Sequence, residues 1–484
     1  MSAQSVAIVG AGVGGLATAA RLGKSGFQVE VFEKLSRCGG RNNMLEDKGF
    51  KFDLGPSFVL MPDFFKEVFD YCGVRLEDYL KLRVLDISYK IFYADGQTLT
   101  VHKDSQRTKQ ELEKIEPGAG AGFDGFIQEV SRFYQAARPL LYNCFSPRSA
   151  LNLKYWPLLF QLRIGQDWWQ LARRFFKSEK LAYAFTFEAM FMGVSPFQAP
   201  AFYSIISYAD HVQKIFHPMG GMYEIPLALE RLAGKFSVQF NYNTEITEII
   251  QEKEQILLRA GEKNRRFDKV VVNADYAYAQ TDLLNRPIPD YKYSCSVLLF
   301  YWGLSKKING LAHHNLFFSA ELRKNLAEIF ELQAVPEDPA FYVHVPTVTD
   351  PTLAPQDKDL MYVLIPVPNL KGAPDSIQGH QQRLRDLVIA KVSRVLGINL
   401  EDLIELEHEF YPQEFISRYN IKHGATFGLA HNLMQSAFFR PANYDQRMKN
   451  LFFVGASTQP GGGLPVVIAS SKITADLINH SLGR

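Results

Sequence analysis

Residues 5–9 of the chain, SVAIV, form a short apolar run without charge, and a helical pattern follows from Val13 to about Ser25. Gln28 to Glu33 make a second apolar run, with Val29, Val31 and Phe32 pointing to a buried strand. Strand, helix and strand together occupy about thirty residues, the span of a βαβ crossover. Further along, Glu224 to Leu232 carries the period of an amphipathic helix, and FSVQFNYNTEITEII and FDKVVVNAD read as strands with alternating or branched apolar residues. Two more strands are predicted near 340–346 and 360–366. Leu451 to Gly455 predicts a buried strand, ASTQPGGG a glycine turn, and PVVIASSKITADLI a helix with Pro465 in its first turn, where a missing N–H costs nothing.

The first crossover carries chemistry at its turn. Gly10, Gly12 and Gly15 give G-x-G-x-x-G between strand and helix, and Glu33 closes the second strand. Gly10 suits a tight turn, Gly12 the approach of a pyrophosphate, and Gly15 close packing of helix on strand. The helix N-terminus then favours the anion, and the glutamate can accept both hydroxyls of an adenosine ribose. The same glycine spacing recurs at Gly120, Gly122 and Gly125, but the charged helical run QELEKIE precedes it. That second copy lacks a strand to aim it and is read as a loop between helices. One dinucleotide site is therefore expected. Lys34 and Arg37 could clamp an NADP phosphate, yet Glu33 would repel that phosphate.

Composition narrows the class. The 53 basic and 51 acidic side chains among 484 residues imply no overall field for nucleic acid. The length predicts two or three domains. Cys38, Cys72, Cys144 and Cys295 lie far apart without C-x-x-C, as free thiols do in a reducing compartment, and no metal site is expected. With the first strand beginning at Ser5 and no uncharged apolar run near 18 residues, a cytoplasmic protein without a spanning helix is expected.

After the acidic strand end comes RCGGRNNMLEDKGFKFDLGPSF, with Gly39, Gly40 and Arg41. This order resembles the start of the glutathione-reductase-like flavoproteins of the amine oxidase and desaturase group. FMGVSPFQAPAFYSIISYAD, HPMGGMYEIPLALERLA, FGLAHNLMQSAFFRP and the C-terminal GASTQPGGGLPVVIASSK resemble, in the right order along the chain, motifs of the bacterial-type phytoene desaturase family. The resemblance runs over essentially the whole chain. It implies an α/β (α+β) fold: a Rossmann-like FAD-binding domain with a mixed-sheet substrate domain and a helical cap. The FAD domain is expected from residues 1–75, 217–295 and 430–484, and the substrate domain from 76–216 and 296–429. Carried over by position, Gly10, Gly12, Gly14, Gly15, Glu33, Gly40, Arg41, Gly55, Ile246, Asp275, Gly455, Gly463 and Val466 line FAD. Arg41 reaches its phosphates, Ile246 meets the adenine through its backbone, and Val466 approaches the pyrimidine edge of the ring.

The resemblance implies double-bond insertion into a phytoene-like isoprenoid in carotenoid biosynthesis, with quinone or oxygen as electron acceptor. Hydride loss to a flavin leaves an allylic cation that makes the neighbouring proton acidic, so positioning matters more than a strong base. Glu188, Asp210, His211 and His217 are read as structural, and no catalytic acid or base is assigned. A carotenoid isomerase or terminal-methyl oxidase of the same family, a flavin amine oxidase, and a lipid-binding protein of the GDP-dissociation-inhibitor type remain alternatives. Finally, Arg132 to Lys180 holds nine Lys/Arg against two Asp/Glu and includes Trp156, Trp168 and Trp169. Such a stretch suits a cap resting on the inner face of an anionic membrane.

Overall fold

The computed structural model describes residues 4–372, 377 and 379–480. The expected crossover forms from β1 (Ser5–Val9), α1 (Val13–Lys24) and β2 (Gln28–Phe32). β1 and β2 run parallel in register from Ser5 opposite Gln28 to Val9 opposite Phe32. Around them grows a five-stranded sheet in the order Leu451–Phe453, Lys269–Val272, β1, β2, Gln239–Asn241. All its pairings are parallel. Ligands of open parallel sheets bind beyond the carboxyl ends of the strands, and the motifs of three distant chain segments meet there.

A second, seven-stranded sheet has the order Ile404–Phe410, Ser296–Leu304, Asp359–Val367, Phe341–His344, His314–Phe317, Ile87–Phe92, Thr98–His102. It is antiparallel except where His314–Phe317 runs beside Ile87–Phe92, so it is mixed as expected. Alternate residues of Ser296–Leu304 face opposite ways. Leu298, Phe300 and Trp302 pack with Leu384, Val388 and Val392 of the helix Gln381–Leu396. Val297, Leu299 and Tyr301 face the other way, into a large cavity between the sheets.

The second glycine cluster is not a loop. Gly118, with φ +87°, precedes the helix Ala119–Ala137, which contains Gly120, Gly122 and Gly125. The Glu113 carboxylate caps this helix, accepting the N–H groups of Gly118 and Gly120 at 2.8 Å each. The glycines serve close approach: a Cβ on Gly122 would lie 2.3 Å from the carbonyl oxygen of Phe175.

The basic stretch from Arg132 to Lys180, expected to form a helical cap, is not one helix. It breaks into 3-10 turns at Arg138–Tyr142, Pro147–Leu151 and Leu153–Tyr155 and short helices at Trp156–Gln161 and Trp168–Ala172. Trp168 is fully buried, and Trp169 packs on Tyr183 and Phe197. Among the described residues no helix is long and apolar enough to cross a membrane.

Candidate functional site: a dinucleotide cradle opening into an apolar cavity

The glycine turn is shaped by contacts that leave no room for a side chain. A Cβ on Gly10, whose φ is +102°, would lie 2.6 Å from the carbonyl oxygen of Asn273, and one on Gly15 would lie 2.2 Å from that of Gly10. Asn273 is the residue around which the turn folds. Its backbone N–H donates to Val9 O at 2.8 Å and its side-chain amide donates to Gly10 O at 3.2 Å. It stands just past the end of the strand Lys269–Val272, in the VVVNAD run, and a polar residue at that strand end is its one trace in the sequence.

The second glycine pair docks onto the first. Gly39 donates its N–H to Ala11 O at 2.9 Å, and a Cβ on Gly40 would lie 3.4 Å from the Gly12 Cα. Arg41 follows, with Nη1 donating to Thr426 O at 2.7 Å. Gly55 (φ +136°) crosses the Arg41 backbone so tightly that a Cβ would meet its carbonyl oxygen at 2.1 Å.

Glu33 is almost entirely buried at the end of β2. Its Oε2 accepts the Ala11 N–H at 2.8 Å and its Oε1 the Leu35 N–H at 2.9 Å. Burial raises its pKa, and these N–H groups oppose the rise. Two carboxylate oxygens offer about four acceptor positions, so each keeps one for a hydroxyl. Asp275 braces the opposite side, accepting the Tyr278 N–H at 3.1 Å through Oδ1 and the Ser457 hydroxyl at 3.2 Å through Oδ2. Its pKa is raised by burial, against the pull of these bonds and of the Arg41 charge.

The C-terminal turn reaches the same place. Gly455, Gly461 and Gly463 have φ of +127°, +151° and +103°, and the helix Leu464–His480 starts beside them. Two residues without a motif of their own hold this turn. His431 accepts the Gly462 N–H at Nε2, 3.0 Å away. Arg440, buried, donates Nε to Thr458 O at 3.1 Å and Nη1 to Gln435 O at 3.0 Å, with Nη2 on Ala456 O. With carbonyls and no carboxylate around it, burial lowers its pKa to about 10. Both residues lie in the stretch FGLAHNLMQSAFFRP, which carried the resemblance as a whole without showing which of its residues act.

All these segments border one cavity. Gly10, Gly12, Gly14, Glu33, Gly40, Arg41, Gly55, Ile246, Asp275, Gly455, Gly463 and Val466 line it, while Gly15 lies behind, against the Gly10 carbonyl. Asn42 also lines it, and both side-chain amide atoms are buried without a hydrogen-bond partner among the described residues. A cradle of bare backbone with an unsatisfied amide, a poised carboxylate and a guanidinium fits the pyrophosphate, ribose and ring amide groups of FAD. Beyond the cradle the wall turns apolar: Phe58, Phe191, Leu299, Leu316, Phe318 and Leu364 face in. Glu188, Asp210, His211 and His217 do not border the cavity.

A parallel sheet with a glycine cradle, joined to a mixed sheet over an apolar chamber, defines an FAD-dependent oxidoreductase. Comparison with known proteins agrees. The model of the flavin containing amine oxidoreductases matches residues 13–479, and the chain belongs to that family. It is 39% identical to the zeta-carotene-forming phytoene desaturase of Myxococcus xanthus, over 97% of this chain and 93% of that protein. It is 36% identical to the 4,4'-diapophytoene desaturase (4,4'-diaponeurosporene-forming) of Staphylococcus haemolyticus, over 97% and 98%. Among solved structures, cyclohexylamine oxidase from Brevibacterium oxydans superposes with a TM-score of 0.65 at 14% identity over 100% of each chain. Putrescine oxidase bound to putrescine gives 0.65 at 16% identity over 99% of each. These two likenesses show the fold.

Proposed function

We propose that the chain is a carotenoid-pathway desaturase that inserts double bonds into a phytoene-like isoprenoid. The observation that carries this reading is the apolar wall continuous with the FAD cradle. Apart from Glu33, Asp275 and Glu245 on the cradle segments, the described cavity lining carries no carboxylate, and away from the cradle it presents phenylalanine, leucine, methionine and tyrosine. Such a wall takes an isoprenoid chain and excludes water, whereas an amine substrate would be left without a charged partner. Identities of 39% and 36% to phytoene and diapophytoene desaturases over nearly full length support the same substrate class.

FAD supplies the two-electron acceptor when bound. The residues of the chain orient and shield. Phe58, Phe191 and Leu316 hold the polyene against the cradle, and Asn42, Glu33 and Arg41 fix the cofactor at its amide, ribose and phosphate groups. His431 is the histidine on the cavity wall, and both its nitrogens are already hydrogen-bonded. It is therefore no base, in keeping with a proton made acidic by the cation beside it. Residues 1–75, 217–295 and 430–484 form the FAD-binding part in this reading, and 76–216 and 296–429 the substrate-binding part. Electrons pass on to a quinone or oxygen.

The reading places the protein on the inner face of a membrane, where its substrate dissolves. Leu151, Leu153, Trp156 and Phe160 expose 79, 73, 47 and 76% of their surface. Phe145 and Tyr155 pack on Phe438 beside them, with ring centres 5.0 and 5.3 Å away, and the neighbouring Met434 is 68% exposed. Exposed apolar side chains gathered this way mark an interaction surface.

Expression in cells that make phytoene, and in cells that make 4,4'-diapophytoene, tests the function through pigment spectra and chromatography. New conjugated double bonds in either host are expected. Unchanged precursors in both hosts, or products altered only in geometry or at a terminal methyl, would overturn it in favour of another member of the family.

A further inference from the structure

Behind the apolar wall the mixed sheet brings three imidazoles to one point. His314 opens the strand His314–Phe317 and lies opposite His344, the last residue of Phe341–His344. His313 precedes them. All three are buried, and one ring nitrogen from each lies within 4.8 Å of the other two. No sequence motif announces the group, since about thirty residues separate His344 from the pair and the fold alone joins them.

The outer partners decide which nitrogens face inward. The Tyr342 hydroxyl donates to Ser57 Oγ at 2.8 Å, so at the 2.7 Å contact between Tyr342 and His314 the ring Nδ1 is the donor. A neutral imidazole carries one N–H. Nε2 of His314 is therefore a bare lone pair, buried and without a hydrogen-bond partner among the described residues. Nδ1 of His313 lies 2.8 Å from Thr349 Oγ1, which turns its Nε2 toward Nε2 of His344, 2.9 Å away. Two of the three rings, His313 and His314, are held at Nδ1 by a hydroxyl oxygen, as proteins orient histidine ligands.

A fourth ring stands close. His217 is fully buried, neither of its nitrogens has a hydrogen-bond partner among the described residues, and its ring centre is 4.7 Å from that of His313. Its Nε2 is 3.8 Å from Asp350 Oδ2. One proton shared between His313 and His344 would satisfy those two nitrogens and leave the lone pair of His314 and both nitrogens of His217 unmatched. A cation at the centre uses the converging lone pairs at once. Burial and mutual repulsion hold His313 and His314 well below the usual histidine range, and burial does the same for His344. All three are thus in the neutral form that ligates metal.

We propose that His313, His314 and His344 bind one divalent transition-metal ion of borderline softness, Zn²⁺ by preference, with His217 beside His313 as a further donor. Imidazole suits such ions, and three histidines with a fourth ligand form a common zinc set. Tetrahedral Zn–N bonds of about 2.0–2.1 Å put ligand nitrogens about 3.4 Å apart, so the rings of His313 and His344 spread by about half an ångström. The ion clamps neighbouring strands of the sheet. It also sets the cavity wall, because Phe58 stacks on His314 with ring centres 3.9 Å apart and Tyr342 is bonded to the same ring. Its role is positional.

The test is elemental analysis of the FAD-loaded protein, produced without an affinity histidine tag. About one zinc or similar ion per chain is expected, surviving dialysis. After chelation, added Co²⁺ should give the visible d–d bands of a nitrogen-ligated tetrahedral site beyond the flavin absorption. His314→Gln and His344→Gln should each lose the ion and the Co²⁺ bands, while His408→Gln, outside the cluster, keeps both. A wild-type protein that contains no such ion and gives no Co²⁺ bands would overturn the proposal, as would full metal content in both variants. Should the two variants fail to fold, the wild-type metal content and Co²⁺ spectrum decide alone.

Discussion

Nε2 of His431 accepts the backbone N–H of Gly462 at 3.0 Å, while Nδ1 of the same ring faces Met192 O at 3.2 Å. A carbonyl only accepts, so the proton sits on Nδ1 and the tautomer is fixed. The ring thereby ties the middle motif to the glycine turn that lines the cofactor cradle. His431→Phe leaves the Gly462 N–H and the Met192 carbonyl unpaired, at about 1–3 kcal/mol for a buried group. Part of that loss should appear as roughly tenfold weaker FAD binding, with partial recovery in His431→Gln. Titration of the apo-protein by flavin fluorescence quenching checks it, and equal affinity in His431→Phe would show that the turn holds itself.

Asn273 and Glu33 separate two ways of losing the cofactor. Asn273→Leu keeps the volume but strips Gly10 O of its amide partner, so the fold itself should lose about 1–3 kcal/mol along with FAD occupancy. Glu33→Arg removes the ribose acceptor and places a long cation in a buried slot. Affinity should fall roughly ten- to a hundredfold. Flavin-to-protein ratios after dialysis, with melting curves at saturating FAD, distinguish the two. A Glu33→Arg protein that retains its flavin would show that the ribose binds elsewhere.

The cradle was legible because glycines and a terminal glutamate are dictated by backbone geometry, which leaves a local trace. Gly10 and Gly15 could be placed from the chain alone for this reason, whereas Gly55 was placed only through the family resemblance. The residues that brace them were not. Asn273, His431 and Arg440 brace the backbone of other segments through hydrogen bonds, Arg440 alone through three carbonyls, and no spacing motif marks them. The strand Ser296–Leu304 escaped for another reason: it is buried on both faces, and its unbroken apolar run carries no alternation. The second glycine cluster misled because helix and loop both accept glycine. The structure places it in the helix Ala119–Ala137, where Gly122 lets Phe175 approach closely.

FAD should be held without a covalent bond. Of the residue types that commonly form such a link, the described cavity wall offers no cysteine, and its histidine has both nitrogens engaged. Acid precipitation should leave the yellow colour in solution. Flavin that stays with the precipitate would contradict this reading.

Glu188 and Asp210 bring a carboxylate oxygen of each within 4.8 Å in the interior. Burial pushes Asp210 up to about 7, and burial with the Asp210 charge holds Glu188 well above the carboxylate range. Lys214, on the same segment, opposes the shift. An acid whose folded pKa is raised binds more protons folded than unfolded, so its contribution to stability falls as pH rises from about 4 to about 7. Asp210→Asn removes that slope. The variant should gain on the wild type by about 1–3 kcal/mol between pH 5 and pH 8, read from urea melts at both. A gap that does not widen with pH would show that Asp210 titrates near its ordinary value.

The exposed apolar tip offers a sharper membrane test than the basic residues of the same stretch. Arg174 lies 3.9 Å from Glu129, and Arg173 donates to the Lys177 carbonyl, so both are partly engaged within the protein. Leu153 and Phe160 touch little of it. Burying each in lipid contributes about 1.5–3 kcal/mol, against about 1 kcal/mol for a basic residue near an anionic surface. Leu153→Glu with Phe160→Glu should therefore release the protein from anionic liposomes more fully than Arg173→Glu, Arg174→Glu and Lys177→Glu together. FAD content should stay unchanged in both, because neither set touches the cradle. Turnover of liposome-held substrate should fall with binding, while turnover of detergent-dispersed substrate should persist. If the Leu153/Phe160 double variant co-sediments with liposomes like the wild type, the membrane face lies elsewhere on the molecule.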